Sequence, residues 1–266
     1  MYIKGLTDEE VKSLIPHDPL IVGYRGSIAH NMYVPNTDPN SIDDKDVMAV
    51  TISPIRYYLG LDRYEGSDGF VHEWDIVTYD ILKFVRLLLN MNPNVLSLLW
   101  LRKNHYIYVS PNGQRLLDNR ELFISRNRIY KAFTGYAYAQ LKKMENRSFE
   151  GYMGEKRKRL VKEFGYDTKN AGHLIRLLRM AIEFLTDGEL HVFRDDAPQL
   201  ISIKRGEWSL EKVKAEAERL RQLADEAYVR SDLPSKVDKK KVDELLVSIM
   251  LDQHGIVANY PEDFFE

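Results

Sequence analysis

The chain has 266 residues, 44% apolar and 29% charged, with a net charge of −2 and no cysteine. This is the profile of a soluble globular protein with room for one large domain or two ordinary ones. It excludes disulfides, thiolate metal sites and thiol catalysis, and it leaves any polyanion site to local rather than global charge.

Met1 to Glu10 carries Lys4, Asp8 and Glu9 and lacks the apolar core of a signal peptide. No run reaches the roughly 18 apolar residues of a membrane span. A cytoplasmic protein without membrane association is expected. Thr7-Asp8-Glu9-Glu10 offers an N-cap and first-turn acids for a short amphipathic helix that Pro16 and Pro19 end. A strand at Leu20 to Tyr24 then runs into Gly26-Ser27, where the serine can cap a short helix. Tyr33 to Ser41, with two prolines, two asparagines and an aspartate, is a turn-rich loop. A strand at Asp46 to Ile52 follows, then a stretch without clear period from Tyr57 to Gly69, then a strand at His72 to Tyr79. From Asp80 the period becomes helical, with Asn92-Pro93-Asn94 capping a second helix at Val95 to Leu101 and a turn at Pro111-Asn112-Gly113. The remaining helices are expected at 126–145, 156–164, 168–186, 209–230 and 238–254, with one strand-like interlude at Gln199 to Lys204. Strands early and helices late predict an α+β fold, with a catalytic domain over residues 1–115 and a helical domain over 116–266.

The chemistry is concentrated in acids set into strands. Asp44 and Asp46 are two apart at a strand start and therefore share a face, and Asp75 lies inside the third strand. Three carboxylates on one face repel unless a divalent cation lies between them, and oxygen ligands favour Mg²⁺ or Mn²⁺. Two such ions about 3.5–4 Å apart would activate a hydroxyl and stabilise the leaving oxygens of an in-line displacement. Gly26 lets backbone approach a phosphate, and Ser27 with nearby N–H groups can bind its oxygens. Asp43 is an alternative member of the metal pair, although alternation turns it to the opposite face, and Glu73 is an alternative third ligand.

The order of Gly26-Ser27, Asp44-x-Asp46 and Asp75 resembles the nucleotidyltransferases of the DNA polymerase beta superfamily, and more closely their RNA-ligase-associated, RNA-repair members. The closer likeness lies in Lys83-Phe84-x-Arg86-Leu87, Asn92-Pro93-Asn94 and the stretch from Gly165 to Leu178, and it covers most of residues 20 to 205. The interval from Gly-Ser to Asp-x-Asp is long for the superfamily, and His30-Asn31 stands where a second glycine is often seen. The resemblance implies a polymerase-beta-like catalytic domain that binds a nucleoside triphosphate and two metal ions.

In the helix from Thr168, the residues Lys169, His173, Arg176 and Met180 form a narrow stripe opposite Ala171, Leu174, Leu178, Ala181, Ile182 and Leu185. The resemblance turns that stripe into a grip on the triphosphate. A basic tract from Lys142 to Lys162, with Tyr136, Tyr138, Phe149 and Tyr152 in or beside it, suits an RNA or DNA acceptor. The expected reaction is transfer of a nucleoside monophosphate from an NTP to a hydroxyl, an RNA or DNA end, with release of pyrophosphate. The alternatives are nucleotidylation of a protein or small molecule, and a non-catalytic nucleotide- or RNA-binding module.

Overall fold

The computed structural model describes residues 3–35, 43–145 and 155–256. In chain order come α1 (Asp8–Leu14), β1 (Asp18–Tyr24), α2 (Gly26–Ala29), β2 (Lys45–Ile52), α3 (Arg56–Leu59), β3 (Gly66–Val71) and β4 (Trp74–Asp80). There follow α4 (Ile81–Leu89), α5 (Pro93–Leu96), β5 (Tyr106–Val109) and α6 (Pro111–Asp118). The helical part comprises α7 (Arg126–Glu145), α8 (Glu155–Phe164), α9 (Thr168–Asp187), α10 (Ala197–Lys204), α11 (Leu210–Arg230) and α12 (Lys239–Gln253).

Two compact units emerge, and neither is a continuous stretch of chain. The first comprises Met1–Gly26, Lys45–Ile124 and Lys236–Glu266; the second comprises Ser27–Asp44 and Ser125–Ser235.

The first unit is built on a mixed sheet of five strands in the order β3-β4-β2-β1-β5, with β2 and β4 parallel and every other pair antiparallel. Val47 to Ile52 of the central β2 are all buried, as a strand covered on both faces requires. On one face Val22, Val47, Ala49, Trp74 and Ile76 pack with Ile3, Val11 and Ile15 from the N-terminal segment. Each of the valine and isoleucine side chains among them, fully buried, is worth about 1.5–3 kcal/mol. There α1 is fixed by a capping box, in which Thr7 Oγ1 accepts from the Glu10 amide and the Glu10 carboxylate accepts from the Thr7 amide. β4 alternates buried and half-buried residues, so Asp75 points to the face opposite Trp74 and Ile76.

The second unit is organised around α9, which packs against α7, α10 and α11. Asp167 caps its start by accepting from the Asn170 amide at 3.0 Å, and Gly188, at φ +75°, ends it. Phe133 of α7 meets Phe184 of α9 edge to face, both buried.

The strand-like interlude is a helix. In α10 Ala197, Leu200, Ile203 and Lys204 are buried, a three-to-four spacing rather than alternation, and Pro198 suits its first turn. The aperiodic stretch hides α3 and β3. The turn at Pro111-Asn112-Gly113 is the start of α6, capped by Ser110. Gly113 is required there because a Cβ would lie 2.0 Å from the Leu20 carbonyl oxygen, so α6 can pack directly on β1. β5 falls at 106–109, a short edge strand that the flanking turn signals obscured. Most of the 33–41 loop and the middle of the 142–162 tract, with Arg147, Phe149 and Tyr152, lie outside the described residues.

Candidate active site

In the first unit, the parallel register of β2 and β4 puts Asp46 directly opposite Asp75. Both side chains are about one-fifth exposed, which leaves their carboxylates open to a ligand. Arg25, at the end of β1, donates from Nη2 to Asp75 Oδ2 at 2.7 Å and lies 3.5 Å from Asp46 Oδ1, while its amide donates to the Asp46 carbonyl at 3.0 Å. One guanidinium thus faces two carboxylates. Gly26 is at φ +59°, and a Cβ there would sit 2.1 Å from Asp46 Oδ2. Backbone and carboxylate meet at a distance only glycine permits.

The other predicted acids are placed differently. Asp44 is exposed, just ahead of β2. Glu73 lies in the turn before β4 and pairs with Lys45 at 2.5 Å. Asp43 is buried in the second unit, where both of its oxygens accept from Lys204 Nζ, at 2.8 and 2.6 Å, and one also accepts from the Val34 amide. It closes the base of a loop and is not available as a metal ligand. The structure therefore brings Asp46 and Asp75 together without Asp44, and among the described residues no three His, Asp or Glu side chains are grouped to hold a metal ion. As a donor set, two in-register carboxylates fit a hard divalent cation, provided that the Arg25 guanidinium yields its place.

The second unit holds the cationic residues. Ser27 Oγ is shut off from solvent and has no hydrogen-bond partner among the described residues. The stripe on α9 is not solvated: Arg176 is 4% exposed and Met180 fully buried. Arg176 donates from Nη1 to His30 Nε2 and to the Met180 sulfur, and Nη2 lies 3.3 Å from His173 Nδ1. His30 Nδ1 donates to the Val192 carbonyl at 2.8 Å, which fixes the tautomer and leaves Nε2 free to accept from the arginine. No carboxylate among the described residues pairs with Arg176. Its neighbours differ: Arg179 is paired with Asp196 at 2.7 Å, and Arg194 with Glu183 and Asp196 at 2.8 Å each.

Burial, then the nearby Arg194, bring the Arg176 pKa down to about 9. Burial and the charge of Arg176 hold His30 well below the usual imidazole range, hence neutral. Lys169 is half-buried two turns earlier on α9. Lys204 lies across α9 at Gly172, where a Cβ would come within 3.0 Å of its Cγ. Burial lowers the Lys204 pKa, and Asp43 opposes that shift.

Sequence reasoning missed His30 as the partner of Arg176, though its place where a glycine is often found marked it as unusual. It also missed the Asp43–Lys204 pair, for which the helical spacing of α10 was the available signal.

No curated protein matches the chain. A solved nucleotidyltransferase-like protein from Exiguobacterium sibiricum 255-15 is similar at 11% identity, over 96% of this chain and 87% of that one, with a TM-score of 0.32. The model of the RNA repair pathway DNA polymerase beta family matches residues 37–248. That range takes in Asp46, Asp75 and α9 and begins after Gly26, Ser27 and His30. Because the match spans well over half its length, the chain belongs to the RNA repair pathway DNA polymerase beta family.

Proposed function

We propose that the protein transfers a nucleoside monophosphate from an NTP to the hydroxyl of an RNA or DNA end. The observation that carries this reading is the in-register pair Asp46 and Asp75, with the Gly26 backbone held against the Asp46 carboxylate. Family membership supports nucleotidyl transfer as the general reaction.

In the reaction the acceptor oxygen forms a bond to the α-phosphorus. The bond from that phosphorus to the α,β-bridging oxygen breaks, and its electron pair leaves with pyrophosphate. Asp75 receives or orients the hydroxyl proton. Asp46 and Asp75, with Asp44 joining from just ahead of β2, would hold Mg²⁺ or Mn²⁺, which when bound supplies charge neutralisation at the transferring phosphate. Gly26 and Ser27 take the terminal phosphates, and Ser27 Oγ satisfies there a hydrogen bond it otherwise lacks. Arg176, a buried cation that no carboxylate among the described residues pairs with, accounts for further phosphate charge, with Lys169 and His173 on the same face of α9.

The test is incubation with each labelled NTP and Mg²⁺ or Mn²⁺, with and without RNA and DNA primers. Label should appear on a primer and fall by at least about 100-fold in Asp46→Asn, as expected for loss of a charged group acting at the reacting phosphate. Label on the protein itself would move the acceptor to a protein hydroxyl. Equal turnover in Asp46→Asn would sink the reading.

A further inference from the structure

The row of residues that crosses the sheet at Asp46 does not stop at Asp75. In the antiparallel pairing of β4 with β3, Phe70 is the register partner of Asp75. Directly paired residues of neighbouring strands share a face, so Asp46, Asp75 and Phe70 follow one another across β2, β4 and the edge strand β3. α1 covers the other face: at Gly69, beside Phe70, a Cβ would lie 2.8 Å from Leu14 Cδ2. Phe70 is therefore on the open side with the carboxylates, and it is 68% exposed. The Cβ atoms of such a pair lie about 4.5–5.5 Å apart, which sets the ring beside the Asp75 carboxylate.

Exposed apolar side chains are ordinary one at a time. Leu59 and Leu61 are more exposed, at 81% and 103%, but they lie in α3 and in the segment after it rather than in the sheet. Phe70 is distinguished by its position. Gly26 stands at the β1 end of the row, against Asp46, where the proposed reaction puts the triphosphate. An in-line displacement brings the attacking hydroxyl to the side of the phosphorus away from the leaving pyrophosphate. The acceptor then approaches from the β4 and β3 end, where Asp75 meets its hydroxyl and Phe70 is the next side chain along the row. Asp68, two residues earlier and exposed on the same face, disfavours a phosphate there. An uncharged base with a flat face is what suits an exposed aromatic ring in that setting.

We propose that Phe70 stacks on the base of the acceptor's 3′-terminal nucleotide and so holds the attacking hydroxyl at Asp75. The assignment rests on the reading of Asp46 and Asp75 as the site of nucleotidyl transfer. The contact senses the presence of a base and not its identity, because every base offers a π-face.

The experiment measures binding of 5′-labelled RNA oligonucleotides, and their DNA counterparts, by fluorescence anisotropy with Mg²⁺ and no NTP. One of each pair ends in a normal 3′ nucleotide and the other in an abasic one. The wild type should bind the normal end about 5-fold or more tightly than the abasic end. Phe70→Leu should bind the normal end as weakly as the wild type binds the abasic one, and so lose the distinction between them. Phe70→Tyr should keep both the affinity and the distinction. Phe70 lies outside the core, and circular dichroism will show each variant folded as the wild type is. A Phe70→Leu that still discriminates would overturn the proposal, as would a wild type that binds the two ends equally or binds neither. Transfer to primers with no preference for a terminal base would sink the stacking and leave the reaction standing. Discrimination that Phe70→Leu abolishes, in a protein that transfers no nucleotide, would sink the reaction and leave the stacked end.

Discussion

Gly26 is where a single atom decides the most. With φ at +59° and no room for a Cβ beside Asp46 Oδ2, Gly26→Ala has to shift the carboxylate or the turn. The left-handed conformation alone costs an alanine about 1–2 kcal/mol. Denaturant unfolding should register a loss of that order, while nucleotidyl transfer falls far more steeply because the acid itself is displaced. Arg176 supports a prediction of the opposite sign. A buried cation costs stability when no carboxylate pairs with it, as none does among the described residues, so Arg176→Met should raise the unfolding free energy of the nucleotide-free protein by on the order of 1 kcal/mol. The same change should abolish the rise in melting temperature that an NTP gives the wild type. An unchanged thermal shift in Arg176→Met would remove Arg176 from the phosphate site.

At the scale of elements, Lys204 of α10 and Asp43 ahead of β2 form a buried pair that ties a loop to a helix. Removing one partner strands the other, so Asp43→Ala should cost about 3–5 kcal/mol in chemical denaturation. Asp43→Ala/Lys204→Met should recover most of that loss, which no metal-ligand role for Asp43 would predict. The elements also show what could be read from the chain beforehand. β2 and α9 were legible because long apolar runs and caps such as Asp167 announce themselves locally. Asp46 and Asp75 stood out because acids in core strands are costly without a purpose. Asp43 and Glu73 stayed open as alternatives, since neither Lys204 nor Lys45 can be seen as a partner before the chain folds. α10 misled because six residues are too few to separate alternation from a helical period, and β5 because an edge strand of four carries almost no pattern.

For the whole molecule, the chain passes between its two units at Gly26–Ser27, Asp44–Lys45, Ile124–Ser125 and Ser235–Lys236. The first unit therefore draws on both ends of the described chain. Arg115 of α6 donates to Ser248 of α12 at 2.6 Å, Asn112 donates to Gln253 at 3.1 Å, and Val242 and Ile249 of α12 are buried. A fragment ending at Ile124 keeps all five strands but loses that cover. It should lack the cooperative thermal transition of the full chain by circular dichroism, and a sharp transition in the fragment would show α12 to be dispensable.

The same threading sets an order of events during synthesis. Domains ordinarily fold as they emerge, the N-terminal one first, at about 5–20 residues per second. Here the first unit is started first and finished last: every segment of the second has been synthesised before α12 exists. The acids at Asp46 and Asp75 thus wait in an incomplete unit while the arginine-bearing helices assemble. A nascent chain stalled once Ser235 has emerged would hold a finished second unit and an unfinished first one, a state in which a holding chaperone has most to protect.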